Sequence, residues 1–389
     1  MRSRIRGGAG RVVHAPVGGW MERHEAQMRR ALELAERAWG RVSPNPLVGA
    51  LVCSPTGDVL GEGWHEGPGT PHAEAVALAR AGAGALGATV ISTLEPCNRF
   101  GRTPPCTTAL IEAGVARVII GATDPDLGDG TPGIAELRDA GIEVVTDVLG
   151  QECRELNDAF ERHVVTGRPF VILKSAFSFD GKTAASDGTS RWITSDEARA
   201  DVQRLRAWSD AIVVGSGTVA LDDPSLTVRD ERYADARPPR RVIVDSAGGL
   251  STATRVFDGS APTLVATTDQ TPDGRVTEWE QAGAEVVIVD RDDVGRVSIS
   301  GLLDALGKRD VQGALVEGGA RLAWAFVEGG LVDRFVFYVA PKVIGGEHAP
   351  GVVGGEGFVP VGAALGLAFE RVERIGPDLK VVARVHRDR

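Results

Sequence analysis

No apolar run in the chain approaches the roughly 18 residues a membrane-spanning helix requires, so a membrane is excluded as a partner. Cysteine is scarce as well. Four thiols in 389 residues do not make a disulfide framework, and the chain is expected to work in a reducing, cytoplasmic compartment. Positive charge is in deficit: 43 Lys and Arg stand against 53 Asp and Glu, a formal net charge of -10. Nucleic-acid surfaces depend on clustered cations, so nucleic acid is excluded too, and any phosphate must be met by local positive groups. No repeat or low-complexity tract is evident. Residues 1–20 carry four arginines among glycines but lack the apolar core of a signal peptide. They are expected to form a disordered extension, with Met21 an alternative start.

What is present is the composition of a globular protein, 43% apolar and 25% charged, long enough for two domains with separate cores. In the first half, Met28, Ala31, Leu32, Leu34, Ala35 and Ala38 mark an amphipathic helix between Met21 and Trp39, and Leu47–Val52 reads as a buried strand. Helices at His72–Arg80, Pro105–Ala113 and Ile134–Ala140 then alternate with strands at Ala88–Thr93, Ala116–Gly121 and Ile142–Val145, the pattern of a layered α/β domain.

Pro71-His72-Ala73-Glu74, Glu95-Pro96-Cys97 and Pro104-Pro105-Cys106 carry the chemistry of this half. One imidazole and two thiolates leave a fourth tetrahedral position for water, the arrangement of catalytic rather than structural zinc. The metal ligands are therefore expected to be His72, Cys97 and Cys106, all at helix beginnings, where free N–H groups and the macrodipole favour thiolates. Glu74 is expected to be the catalytic proton carrier, taking a proton from the water and passing it to departing ammonia. His-x-Glu followed by Pro-Cys is the pattern of zinc nucleobase deaminases, although eight residues rather than two separate these cysteines. Cys53 and Cys153 are expected to be buried packing thiols.

The polar break Thr166-Gly167-Arg168-Pro169 divides the chain into residues 21–166 and 167–389. A second α/β series follows, from a strand at Phe170–Ser175 to one at Arg334–Ala340. Gly215-Ser216-Gly217-Thr218-Val219-Ala220 matches a dinucleotide fingerprint only formally, because Asp222-Asp223-Pro224 ends its helix after about one turn. Glu317-Gly318-Gly319, at the end of a strand and the start of a helix, is the better phosphate site. A plain tight turn accounts for either glycine cluster taken alone.

Thr93-Leu94-Glu95-Pro96-Cys97 through Gly101-Arg102-Thr103-Pro104-Pro105-Cys106, with Asn45-Pro46-Leu47-Val48-Gly49-Ala50 and His72-Ala73-Glu74, resembles the deaminase domain of the bifunctional riboflavin-biosynthesis deaminase/reductases. Leu173-Lys174-Ser175-Ala176, Ser178-Phe179-Asp180-Gly181-Lys182, Ser190-Arg191-Trp192-Ile193-Thr194, Gly217-Thr218-Val219, Asp222-Asp223-Pro224-Ser225-Leu226-Thr227 and Val316-Glu317-Gly318-Gly319 resemble the reductase domain of the same family. The resemblance implies an α/β fold class: an N-terminal cytidine-deaminase-like three-layer domain, then a C-terminal dihydrofolate-reductase-like domain. It implies hydrolytic deamination of 2,5-diamino-6-(5-phosphoribosylamino)pyrimidin-4(3H)-one, then NADPH-dependent reduction of the ribosyl group to ribityl. Zinc and NADPH would be the cofactors, a small phosphoribosyl pyrimidine the substrate, and a homodimer or homotetramer the assembly.

Carried over by position, Ala176, Trp192, Thr218, Asp222, Gly319, Ala320, Arg321, Leu322, Ala323, Trp324 and Ala325 would contact NADPH. Asn45 would contact the deaminase substrate. Ser190, Arg206, Leu226, Arg229 and Glu317 would hold the reductase substrate, with Lys174 catalytic beside the reacting ribose. Two departures stand out: Arg99 where the family usually has His, and Asp124-Pro125-Asp126-Leu127 where it usually has Asp-Pro-Asn-Pro. Both fall among substrate contacts rather than metal ligands. They leave open the alternative that the deaminase acts on a different amino-heterocycle.

Overall fold

The structure is a computed structural model that describes residues 17–100, 104–126 and 132–386. The disorder expected of residues 1–16, the Gly101-Arg102-Thr103 part of the cysteine loop and Leu127 lie outside the described residues. The chain forms two compact units, one up to Ala38 together with Leu47–Leu156, the other Trp39–Pro46 together with the chain from Asn157 onward.

The first unit runs α1 (Val17–Glu36), β1 (Gly49–Cys53), β2 (Val59–Trp64), α2 (Ala73–Ala81), β3 (Thr89–Leu94), α3 (Cys106–Glu112), β4 (Arg117–Ala122), α4 (Gly133–Asp139), β5 (Glu143–Val145) and α5 (Gly150–Leu156). Its sheet has the order β2-β1-β3-β4-β5, antiparallel around β1 and parallel from β3 to β5. All six residues of β3 are buried, as expected of a central strand covered on both faces. Glycines let the helices approach the strands closely. A Cβ at Gly61 would stand 2.2 Å from the Ala77 carbonyl oxygen, and one at Gly63 2.1 Å from that of Ala73. The start of α2, with its His72 and Glu74, is thereby seated against β2.

The second unit begins with α6 (Asp158–Thr166), β6 (Phe170–Ser178), α7 (Asp196–Trp208), β7 (Ala211–Gly215), α8 (Ser216–Asp222), β8 (Arg240–Val244) and β9 (Thr263–Thr267). It continues through α9 (Asp273–Gln281), β10 (Glu285–Ile288), α10 (Ile299–Gly307), β11 (Gly313–Val316), α11 (Ala320–Glu328), β12 (Arg334–Ala340), β13 (Leu367–Ile375) and β14 (Asp378–Val385). The nine-stranded order is β10-β9-β8-β7-β11-β6-β12-β14-β13, parallel as far as β12 and closed by an antiparallel hairpin. The chain winds outward from β6 to β10 and then returns to insert β11 between β7 and β6. Ligands of open α/β sheets bind at such reversals, outside the carboxyl ends of the strands.

The structure differs from the sequence-based boundaries in definite places. Residues 17–20, assigned to the extension, are the first turn of α1. The helix α6, placed before the boundary at 166, belongs to the second unit, because Asp158 there accepts hydrogen bonds from Arg334 at 2.8 Å and Arg384 at 2.6 Å. Residues 39–46 also join that unit. The Trp39 indole donates to the Arg204 carbonyl at 3.2 Å, and the Gln312 amide donates to the Pro44 carbonyl at 2.6 Å. The stretch Thr271–Gly283, for which the sequence pattern predicts no element, contains α9, whose anchor is the fully buried Trp279. Its remaining polar residues gave no apolar stripe to read. The hairpin β13–β14 was also missed, since β13 is largely exposed and lacks the alternation of a half-buried strand.

Candidate active sites

In the first unit α2 and α3 bring the expected donors together. His72 is the N-cap of α2 and Cys106 the first residue of α3. Cys97 is not at a helix beginning as expected: β3 ends at Leu94, and Cys97 lies in the loop beyond it, after Glu95 and Pro96. That loop folds onto α3 all the same, with the Cys106 N–H donating to Cys97 Sγ at 3.4 Å and the Thr107 N–H to the Cys97 carbonyl at 3.1 Å. Cys97 thus receives helix N–H groups through space rather than from a helix of its own.

His72 Nδ1 lies 3.2 Å from Cys106 Sγ and 3.4 Å from Cys97 Sγ, and the three donor atoms all fall within 4.8 Å of one another. Tetrahedral zinc with ordinary Zn–S and Zn–N lengths separates such donors by about 3.5 Å, so the set fits zinc. Hydrogen bonding from Cys106, then from His72, holds the Cys97 thiol far down, at about 4 despite its burial, while Cys106 is pushed up by the same pairing. The His72 imidazole is raised, first by its bond to Cys97.

Glu74 is 3% exposed and turned into this cluster. Its Oε1 accepts from the Ser92 hydroxyl at 3.1 Å, and its Oε2 lies 3.5 Å from Cys106 Sγ. Burial, then the negative charge of Cys97, raises the pKa of its carboxyl group. A carboxyl whose proton affinity is raised in this way is suited to accept a proton and pass it on. Ser92 was missed by sequence reasoning. Its signal was a hydroxyl inside the apolar strand Thr89–Leu94, where a fully buried polar group requires a partner. The ring of His65, 5.4 Å from that of His72, was missed too. Asn45, expected to contact the deaminase substrate, lies in the 39–46 segment of the second unit. Cys53 and Cys153 are buried, as expected, with thiols pushed up by burial to about 11 and about 12.

The second unit gathers its charged residues where β6, β7 and β11 meet. Glu317 takes a two-pronged pair from Arg206, Nε to Oε1 at 2.8 Å and Nη2 to Oε2 at 2.9 Å, and stands 4.0 Å from Lys174 Nζ. Burial opposes ionisation of Glu317, but the charges of Arg206 and then Lys174 hold its carboxyl down to about 2. Burial lowers the Lys174 ammonium, which sits in mid-strand with its Nζ 5.9 Å from the centre of the Tyr338 ring. Arg206 also donates to the Thr227 carbonyl at 3.2 Å, so all of its nitrogens have tasks inside the protein. Arg229 is lowered by burial and then by its neighbours Arg206 and Arg255, which marks a local excess of positive charge.

Thr218 and Gly319 meet at the facing starts of α8 and α11: a Cβ on Gly319 would lie 3.7 Å from Thr218 Oγ1. The space above Gly215 and Gly217 is open, with nothing within 4 Å of where a Cβ would be. A phosphate-bearing cofactor can therefore approach both backbone turns. Of the expected contacts on α11, Ala323 and Trp324 point into the core, and Trp324 packs on Phe358. Gly319 and Arg321 are exposed. Asp222 ends α8, and its carbonyl accepts from Arg191 at 2.7 Å, while Asp223 follows as a left-handed cap at φ 41°. Leu226, also at positive φ, buries its side chain and has only backbone to offer. Trp192 is exposed, with the Arg199 guanidinium 4.3 Å from its ring centre.

Residues 169–381 match the family described as the RibD C-terminal domain, and residues 21–122 match the cytidine and deoxycytidylate deaminase zinc-binding region. The riboflavin biosynthesis protein RibD of Bacillus amyloliquefaciens is 41% identical over 361 residues, which cover 92% of this chain and 95% of that protein. The RibD of Escherichia coli (strain K12) is 40% identical over 365 residues, covering 91% and 97%. Among solved structures, Acinetobacter baumannii RibD is similar at a TM-score of 0.83 and 33% identity, covering 94% of this chain and 100% of that one. The diaminohydroxyphosphoribosylaminopyrimidine deaminase/5-amino-6-(5-phosphoribosylamino)uracil reductase of Thermotoga maritima gives 0.82 at 35% identity, with the same coverage. The expected fold class, a cytidine-deaminase-like domain followed by a reductase domain, is borne out.

Proposed function

The chain belongs to the RibD family of riboflavin biosynthesis proteins, and from that premise we propose that it carries out two consecutive reactions on one phosphoribosyl pyrimidine. It is a zinc-dependent deaminase and an NADPH-dependent reductase. The observation that carries the first activity is the convergence of His72, Cys97 and Cys106 donors within 4.8 Å, beside the buried carboxyl of Glu74.

Zinc held by those three residues supplies the Lewis acidity that makes water a nucleophile at neutral pH. Glu74 takes the proton that water loses as its oxygen adds to the amino-bearing ring carbon, and delivers it to the amino nitrogen as the exocyclic C–N bond breaks. Ammonia leaves and the carbonyl remains. Ser92 keeps the carboxyl pointed at the donors through its 3.1 Å bond.

NADPH, when bound in the second unit, would supply the hydride needed at the carbonyl carbon of the opened ribose. Gly319, Ala320 and Arg321 at the start of α11, with Ala176, Trp192, Thr218 and Asp222, would hold NADPH, while Ala323 and Trp324 support that turn from the core. Lys174 lies at the reacting end and gives its proton to the developing alkoxide. Glu317 keeps Lys174 and Arg206 in place, with Ser190 and the backbone of Leu226 along the sugar. The phosphate falls to Arg229, since Arg206 already serves Glu317 and Thr227. The cytoplasm suits two ligand thiols that must stay reduced. Exposed Leu367, Phe369 and Val372 on the edge strand β13 support a homodimer, which light scattering of the purified chain would detect as twice the monomer mass.

The test is a coupled assay. Without NADPH the chain should release one ammonia per diaminopyrimidine; with it, NADPH oxidation should follow only after deamination. Oxidation of NADPH by the undeaminated compound, or absence of ammonia, would be incompatible with this order.

A further inference from the structure

Arg99 and Asp126 occupy two of the positions at which the sequence departs from the family's usual His and Asn, and the structure joins them. Arg99 Nη2 lies 3.0 Å from Asp126 Oδ2 and also donates to the Asp126 carbonyl, while Nη1 lies 3.5 Å from Oδ1. The guanidinium therefore grips side chain and main chain of residue 126 at once. The Asp126 N–H in turn donates to Asp124 Oδ1 at 2.9 Å. The Asp124 N–H donates to Glu95 Oε2 at 3.3 Å, and the Ile134 N–H to Glu95 Oε1 at 3.0 Å. Glu95, 5% exposed, stands two residues before the zinc ligand Cys97, and Arg99 stands two residues after it. The ligand loop thus holds the segment beyond β4 from both of its sides.

We propose that Arg99 and Asp126 act as one positioning element of the deaminase centre, a matched exchange of His and Asn for an ion pair that fixes Asp124 without changing the local charge. The inference rests on the deamination reading above. Either change alone would alter the charge: Arg for His adds a cation, Asp for Asn an anion. Together they cancel. With side chains 44% and 49% exposed, the pair adds little to stability, so its effect lies in geometry and in what an anionic substrate meets. Losing Arg99 leaves the carboxylates of Asp126 and Asp124 side by side, which disfavours a phosphate-bearing substrate. Losing the Asp126 carboxylate loosens the grip of Arg99 on the segment that carries Asp124 but leaves its bond to the residue 126 carbonyl, a milder defect.

Steady-state ammonia release by the full chain should be compared with that of Arg99→His, Asp126→Asn and the double variant. Each single change is expected to raise KM about fivefold or somewhat less, Arg99→His more than Asp126→Asn, with kcat within about twofold. The double variant should return KM to within about twofold of the starting protein. Zinc content and NADPH turnover on the deaminated compound should be the same in all four. If Arg99→His loses zinc, Arg99→Lys, which keeps the charge and loses the fork, takes its place and should give an intermediate KM. An active starting protein whose single effects multiply in the double variant, or whose single variants are unchanged, overturns the pairing alone. A starting protein that releases no ammonia overturns the deamination reading, and this inference with it.

Discussion

The deaminase centre takes all its metal donors from one stretch, His72 to Cys106, whereas the reductase centre draws Lys174, Arg206, Thr218, Arg229 and Glu317 from separate elements of a nine-stranded sheet. They also differ in what each lacks. The first is a cluster of one imidazole and two sulfurs whose donor atoms lie within 4.8 Å of one another with no Lys or Arg among them. The second neutralises its own buried charges, Glu317 against Arg206 and Lys174. A metal centre can be compact because the ion dictates the geometry; a centre that binds two large organic molecules must spread over the surface they cover.

The sharpest way to break this comparison is to disable one centre and leave the other. Glu74→Gln keeps the volume and the Ser92 bond but cannot carry a proton. Ammonia release should fall by about 10²- to 10⁴-fold, with zinc retained and NADPH oxidation on the deaminated compound unchanged. A parallel fall in both activities would show that the two centres are not independent.

The same contrast explains what was legible before the structure. Ligand spacing in Pro71-His72-Ala73-Glu74 and Pro104-Pro105-Cys106 is local chemistry, and the side chains it singled out lie within 4.8 Å of one another in the fold. The apolar strands β7, β9 and β12 were equally plain. Hidden were interactions that depend on distant partners: the Arg206 fork closing on Glu317, the 39–46 segment joining the second unit, and Trp279 anchoring a helix of otherwise polar residues. The substrate-holding role expected of Arg206 was what the family resemblance implied. Its neighbour across the sheet determines what the Arg206 charge does.

The next largest effect should come from the reductase pair. Glu317→Gln leaves Arg206 and Lys174 buried without their counter-charge, and breaking such a pair typically costs about 3–5 kcal/mol. The Glu317 carboxyl titrates at about 2 in the folded chain against an ordinary 4.5, so the unfolded chain takes up the proton first. The contribution of the pair is complete above about pH 4.5 and is lost as pH falls toward 2. Acid unfolding followed by circular dichroism should show this dependence in the starting protein. In Glu317→Gln it should be diminished, and an unchanged acid transition would argue against the pair as its source.

The smallest effect sharpens the comparison from inside the first unit, where two kinds of cysteine coexist. Cys153 is fully buried against β4: a Cβ on Gly121 would stand 2.2 Å from its sulfur. Burial pushes its thiol up to about 12, so at neutral pH it is neither a nucleophile nor a metal ligand. Cys153→Ala therefore removes only packing, a loss of about 1 kcal/mol for one buried sulfur-sized group, readable as a small drop in the denaturant midpoint. Zinc content and both activities should be unchanged. In the native zinc-loaded protein an alkylating reagent should spare Cys153, and chelation should expose Cys97 to the reagent first, because that thiol is held near 4. Loss of zinc in Cys153→Ala would mean that packing beneath β4 governs the donor geometry, and the metal centre would then be less local than its sequence spacing implies.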